Sequence, residues 1–141
     1  MKQDWKYKRG DVYLADLGEP IGSEQGGIRP VAVIQNESGC RRSTTMTVVP
    51  LTSNLKKLEQ PTHYVLRFAP FLAEKSMAMG EQARAIDKVR ILSYIGKLDY
   101  RDLCEIEWTA VINIKAERRR RKRRKVNEAG NTYMGKKQSV N

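Results

Sequence analysis

The residue types most suited to chemistry lie in one glycine-rich segment, GSEQGGIRP, at positions 22–30. Its glycines allow backbone amides to approach an anion closely. Pro30 restricts the preceding residue to an extended backbone, so the guanidinium of Arg29 leaves the chain in a defined direction. The hydrogen-bonding side chains of the segment are Ser23, Glu24 and Gln25. On these residues alone two interpretations stay open: an anion-binding loop, or a flexible surface loop whose arginine forms a salt bridge.

Histidine and metal chemistry find little support in the sequence. His63 is the only histidine, which excludes a histidine pair acting as general acid and base, and its strand-like surroundings favour a structural role. HxH and HExxH spacings and clustered carboxylates are absent from the sequence, so no metal site is predicted. Cys40 and Cys104 lie far apart and are predicted to be free thiols. We therefore expect no metal and no cofactor.

The positive charge is concentrated at one end of the chain. The 141 residues carry a formal charge of +11, yet residues 118–141 hold ten basic residues against one acidic residue. Residues 1–117 are predicted to form one domain, and residues 118–141 a basic extension without regular structure beyond about residue 125. The sequence shows neither a run of about 20 apolar residues nor a secretory signal, so a cytoplasmic protein without membrane association is expected.

The hydrophobic pattern predicts short strands and one helix. A partly alternating, β-branched pattern predicts strands at residues 8–17, 29–35, 45–51, 62–67 and 76–86, the last with a bend at Gly80, and a helical turn with an edge strand at 91–98. A turn is predicted at residues 36–43. A helix is expected after a cap at Asp99, and its apolar stripe comprises Leu103, Ile106, Ala110 and Ile114. The expected class is mainly β (α+β), a strongly bent antiparallel fold covered by one helix.

Five blocks in order, KRGDVYLADL, GSEQGGIRPVAVIQN, TVVPLTS, QPTHYVL and GEQARAIDKVRI, resemble the MazF/PemK/Kid family of type II toxin endoribonucleases, most closely its Gram-positive MazF branch. The resemblance runs from residue 8 to about residue 114. It implies a compact SH3-like antiparallel β-barrel of the MazF/Kid/CcdB type, with a C-terminal helix, that forms a homodimer. It further implies an mRNA interferase, which cuts single-stranded RNA at short sequences without a metal and is inhibited by a cognate acidic antitoxin. The basic extension departs from the family.

The resemblance also implies roles for particular residues. The catalytic arginine and threonine of the family fall on Arg29 and Thr52. Positions that contact RNA or shape the site fall on Ser23, Glu24, Gln25, Glu81, Gln82 and Arg84. The expected reaction is attack of a 2′-hydroxyl on its own phosphate, which gives a 2′,3′-cyclic phosphate and a 5′-hydroxyl. Arg29 and Thr52 would stabilise the developing negative charge. The proton acceptor stays open, since Glu24 or Glu81 could take the proton or could instead orient Arg29.

Two alternatives belong to other functional classes. One is a toxin of the same fold without enzymatic activity that binds a protein target. The other is a basic RNA-binding protein in which the extension matters most. The presence of both Arg29 and Thr52 favours the nuclease. Trp5 and Trp108 are predicted to lie in the core or in a dimer interface.

Overall fold

The computed structural model describes residues 4–116 as one bent sheet with two helices. The strands are β1 (Asp11–Asp16), β2 (Ile28–Val33), β3 (Thr45–Thr52), β4 (His63–Val65), β5 (Met77–Met79), β6 (Arg84–Asp87) and β7 (Ile91–Lys97). The helices are α1 (Glu37–Arg42) and α2 (Tyr100–Ile114), and 3₁₀ turns occupy Gly80–Gln82 and Lys88–Arg90. The predicted boundary at residue 117 and the basic run at 118–125 lie outside the described residues.

All strand pairs of the sheet are antiparallel, in the order β4-β5-β3-β2-β1-β7. The first half of β3 also pairs with β6, whereas its second half pairs with β5. This division of β3 between two partners bends the sheet around it. The predicted class, mainly β with a C-terminal helix, is confirmed.

The two faces of the sheet bury separate apolar clusters, because successive side chains of a strand point to opposite faces. One cluster contains Val12, Ala32 and Val49 and packs against α2. The other contains Tyr13, Val31 and Val48, and Trp5 and Tyr7 pack against it. Trp5 therefore lies beside the core, as predicted, and its indole Nε1 donates to the hydroxyl oxygen of Tyr13 at 2.8 Å.

Helix α2 begins as predicted and ends differently. The Asp99 side chain accepts a hydrogen bond from the backbone N–H of Arg101 at 2.8 Å, which is an N-cap. Leu103, Ile106 and Ala110 are buried, but Ile114 is 80 % exposed. The prediction was wrong at Ile114 because the buried positions of α2 end one turn earlier, so the last turn extends past the sheet. Trp108, 49 % exposed, also lies outside the core.

Two other predicted elements differ from those in the structure. Residues 76–86 form two strands, β5 and β6, rather than one bent strand. Both pair with β3, but with different halves of it, because the chain turns at Gly80 against α2. A Cβ at Gly80 would lie 2.3 Å from the Thr109 carbonyl carbon, so only glycine allows this approach. The predicted turn at 36–43 is instead the short helix α1, capped by Asn36.

Among residues 4–116, neither helix is long and apolar enough to cross a membrane.

Candidate active site

The glycine-rich segment forms the loop between β1 and β2, and backbone hydrogen bonds close its base. Leu17 N–H donates to the Gly27 carbonyl at 2.9 Å, and Gly27 N–H donates to the Gly18 carbonyl at 2.7 Å. Gly27 has a φ of +77°, which favours glycine. A Cβ at Gly26 would lie 2.7 Å from the Gly18 carbonyl oxygen, so the loop has no room for a side chain there.

Arg29 is held by backbone carbonyls rather than by a carboxylate. Its Nε donates to the Gly26 carbonyl at 3.0 Å, and its Nη1 lies 3.5 Å from the Leu51 carbonyl oxygen. Within residues 4–116 it forms no ion pair with Glu24, Glu81 or any other carboxylate, contrary to the salt-bridge alternative. The positive charge of a half-buried guanidinium is therefore fixed in direction and available to an anion.

Thr52 ends β3 beside this guanidinium. Its hydroxyl oxygen accepts the backbone N–H of Asn54 at 3.1 Å, which orients the side chain and leaves its own proton free to donate. Val31 and Pro50 are directly opposite each other in the β2–β3 pair, and Arg29 and Thr52 lie two residues further along their strands. Both side chains therefore belong to the same face of the sheet.

Gln82 holds the glycine-rich loop in place. Its Oε1 accepts the backbone N–H of Gln25 at 3.2 Å, and its Nε2 donates to the Ser23 carbonyl at 3.4 Å. Ser23 and Glu24 are exposed, and the Glu24 Oε1 accepts the backbone N–H of Ile21 at 3.1 Å. The structure thus brings Gln82 to the same loop as the three polar residues predicted from the sequence.

Glu81 forms a contact that the sequence did not predict. Its Oε2 lies 2.8 Å from Nε2 of His63, and its Oε1 is buried without a hydrogen-bond partner among the described residues. Desolvation lowers the pKa of His63, but hydrogen bonds to Glu81 and to the backbone carbonyls of Lys57 and Lys56 outweigh it, so the pKa is raised. Both residues lie in blocks noted in the sequence, QPTHYVL and GEQARAIDKVRI, but their pairing depends on the turn at Gly80.

Arg84 lies well away from Thr52 along the sheet. It is directly opposite Val48 in the β3–β6 pair, four residues before Thr52 along β3, which corresponds to about 13 Å. Within residues 4–116 its guanidinium has no hydrogen-bond or ion-pair partner. No three metal-binding side chains come together in this part of the chain.

Comparison with known proteins identifies the family. Residues 8–114 match the sequence profile of the PemK-like, MazF-like toxins of type II toxin–antitoxin systems. The chain belongs to this family. It is 47 % identical over 93 residues to endoribonuclease EndoA of Bacillus subtilis (strain 168), covering 65 % of this chain and 80 % of EndoA. It is 41 % identical over 100 residues to endoribonuclease MazF of Staphylococcus saprophyticus, covering 70 % of this chain and 83 % of that protein.

Solved structures show the same fold for this PemK/MazF-like toxin. One is a mycobacterial endoribonuclease in complex with its cognate antitoxin, with a TM-score of 0.66 and 18 % sequence identity. The similarity covers 80 % of the present chain and 99 % of the mycobacterial one. The resemblance predicted from the five sequence blocks is therefore confirmed, and it extends over nearly all of the described residues.

Proposed function

We propose that this PemK/MazF-like toxin is an endoribonuclease that cleaves single-stranded mRNA at short sequences and needs no metal. The observation that carries the proposal is the placement of Arg29. Its guanidinium is fixed by two carbonyls, has no carboxylate partner in the described residues, and shares a sheet face with the Thr52 hydroxyl. Such a pair suits the charge that develops on a phosphate during cleavage.

In the proposed reaction a ribose 2′-oxygen attacks the adjacent phosphorus. The bond from phosphorus to the 5′-oxygen breaks, and that oxygen takes up a proton. Arg29 donates to the phosphorane oxygens, and the Thr52 hydroxyl adds a further donor. The products are a 2′,3′-cyclic phosphate and a 5′-hydroxyl.

The 2′-hydroxyl proton needs an acceptor, and Arg29 is unsuited because its pKa is above about 12. Glu24 is our candidate since it is exposed on the loop beside Arg29. Glu81 is a weaker candidate: its Oε2 is bound to His63 and its Oε1 is buried. RNA would be bound by groups of the loop, with exposed Ser23 and part-buried Gln25 beside the cut phosphate, and by part-buried Arg84 further along the strand.

The proposed partners follow from the family. The mycobacterial relative was solved with its cognate antitoxin, and an acidic antitoxin segment would block the half-buried guanidinium of Arg29 here by competition with RNA. We also propose a homodimer, which would cover part of the exposed apolar surface of α2, where Tyr100 is 74 % and Trp108 is 49 % exposed. An mRNA substrate places the toxin in the cytoplasm.

The test is cleavage of a long mixed-sequence single-stranded RNA in the presence of EDTA, with mapping of the ends. Discrete cuts are expected from the unaltered protein, and a loss of about 100-fold or more in rate from Arg29→Ala. Arg101→Ala, which removes an exposed arginine at the start of α2, is the matched control and should cleave normally. Replacing the ribose at a mapped cut site by deoxyribose should abolish cleavage there.

Equal cleavage by Arg29→Ala would contradict the assigned site, and continued cleavage of the deoxyribose substrate would contradict the mechanism. No cleavage by the unaltered protein would favour a toxin that binds a protein target, or a plain RNA-binding protein.

A further inference from the structure

His63 connects two segments that border the candidate site. Its Nε2 contacts the Glu81 carboxylate at 2.8 Å, and its Nδ1 lies 3.0 Å from the Lys57 carbonyl oxygen and 3.2 Å from that of Lys56. The histidine side chain is only 7 % exposed. The proposed mechanism makes no use of this buried group.

The partners require a particular protonation state. A carboxylate and a backbone carbonyl only accept hydrogen bonds, so both ring nitrogens must carry a proton to satisfy them. A neutral imidazole carries one N–H and would leave either Glu81 or the two carbonyls facing a lone pair. The geometry is therefore that of an imidazolium.

Each connected segment leads directly to a site residue. Lys56 and Lys57 belong to the stretch that follows Thr52, whose hydroxyl is oriented by Asn54 at the start of the same stretch. Glu81 immediately precedes Gln82, which holds the backbone of the glycine-rich loop. Loss of the His63 contacts would remove one contact from each segment, while the backbone bond from Gly80 N–H to the Thr62 carbonyl at 2.7 Å would remain.

The backbone at Lys57 supports this interpretation. Lys57 has a φ of +49° and is the one non-glycine residue within 4–116 in the left-handed region. That conformation is sterically unfavourable for an L-residue, so the surroundings must hold it. The Lys57 carbonyl accepts from Gln60 N–H at 3.0 Å as well as from His63.

We propose that His63, as an imidazolium between Glu81 and the carbonyls of Lys56 and Lys57, is a positioning residue that keeps Thr52 and Gln82 in place for RNA cleavage. The inference rests on the proposed function. Cleavage should then require the protonated histidine. Because the pKa of His63 is raised, the competent form persists above the ordinary titration range of histidine and is lost as pH rises through the folded-state pKa.

The charged groups around the histidine come from two segments. Glu81 faces it from the 3₁₀ turn Gly80–Gln82, and the exposed Lys56 and Lys57 precede it in the chain. On β5 its direct cross-strand neighbour is the apolar Met79. On β4, the pKa of Tyr64 is raised by burial, by its hydrogen bond to Asp102, and by the negative charges of Asp102 and Glu105 on α2.

The experiment uses the fact that His63 is the sole histidine. In the full-length protein labelled with ¹³C-histidine, one imidazole resonance reports its titration by NMR. Single-turnover cleavage of an RNA carrying one mapped site is measured over the same pH range. We expect an NMR midpoint above about 6.5 and a fall in cleavage rate centred on the same pH.

Two variants separate positioning from a merely structural role. Glu81→Gln removes the charge but keeps an acceptor oxygen, so the NMR midpoint and the fall in rate should both move to lower pH. Glu37→Gln, which removes an exposed carboxylate from α1, should move neither. At pH values below the midpoint, His63→Gln should lower the cleavage rate by about tenfold, and it should remove the pH-dependent fall in rate.

The outcomes distinguish the inference from the proposed function. Cleavage that continues unchanged through the NMR midpoint overturns the inference alone, as does a wild-type midpoint at or below about 6.5. The inference is also overturned if Glu81→Gln shifts the NMR titration midpoint of His63 but does not shift the pH at which the cleavage rate falls. No cleavage at any pH overturns the proposed function, and the inference with it.

Discussion

At the scale of single residues, substitutions of Thr52 test whether cleavage needs the hydroxyl group or only the β-branched shape of the side chain. Thr52→Val keeps the β-branched shape but removes the hydroxyl that accepts from Asn54 N–H. We expect Thr52→Val to lower the single-turnover cleavage rate by about 100-fold because a donor to the phosphorane is lost. Thr52→Ser, which keeps the hydroxyl, should remain within about tenfold of the unaltered rate, since only its β-branch is missing.

The melting temperature of each variant checks that the fold persists, because the lost hydrogen bond should cost only about 1 kcal/mol. A Thr52→Val enzyme as active as Thr52→Ser would show that the hydroxyl takes no part in the reaction.

At the scale of elements, the loop between β1 and β2 has to keep one shape to present Arg29. The Gly26 carbonyl accepts the hydrogen bond from Arg29 Nε. Of the glycines in this loop, Gly26 has the least space for a side chain, since a Cβ there would lie 2.5 Å from Cδ of Pro20. Gly26→Ala should therefore displace the loop and reduce cleavage by about tenfold or more while the sheet stays folded.

Gly22→Ala is the matched control within the same loop. A Cβ at Gly22 meets nothing within 4 Å, and the substitution carries only the cost of its φ of +62°, about 1 kcal/mol. Cleavage rates and circular dichroism of the two variants provide the comparison. A Gly26→Ala enzyme that cleaves as fast as Gly22→Ala would mean that the loop tolerates displacement.

At the scale of the whole molecule, the charge is divided between a nearly neutral body and a basic extension, where residues 118–125 are all Arg or Lys. We predict that this run binds RNA phosphates with little effect on sequence choice. Changing all eight residues to Gln should flatten the dependence of log affinity on log salt by about 0.7 per lost phosphate contact. Cut positions should stay the same, and an unchanged salt slope would assign the run no part in RNA binding.

Local patterns in the sequence predicted most of the elements, and the family resemblance predicted which residues act in catalysis. Alternation predicted the strands through Val12 and Tyr13, a capping aspartate predicted the start of α2, and the resemblance placed Arg29 and Thr52, which the fold puts on one sheet face. These features follow from local patterns, because alternation, capping and the restriction before Pro30 each act within a few residues.

The partners that these residues meet depend on the tertiary fold. Different halves of β3 pair with β5 and β6, so the chain forms two strands where one was predicted. The close approach of Gly80 to Thr109 brings Glu81 into contact with His63. The sequence also did not predict the carbonyls that hold Arg29 or the exposure of Ile114. Such contacts join residues far apart in the chain, and their geometry is set by strand pairing and helix packing rather than by local preference.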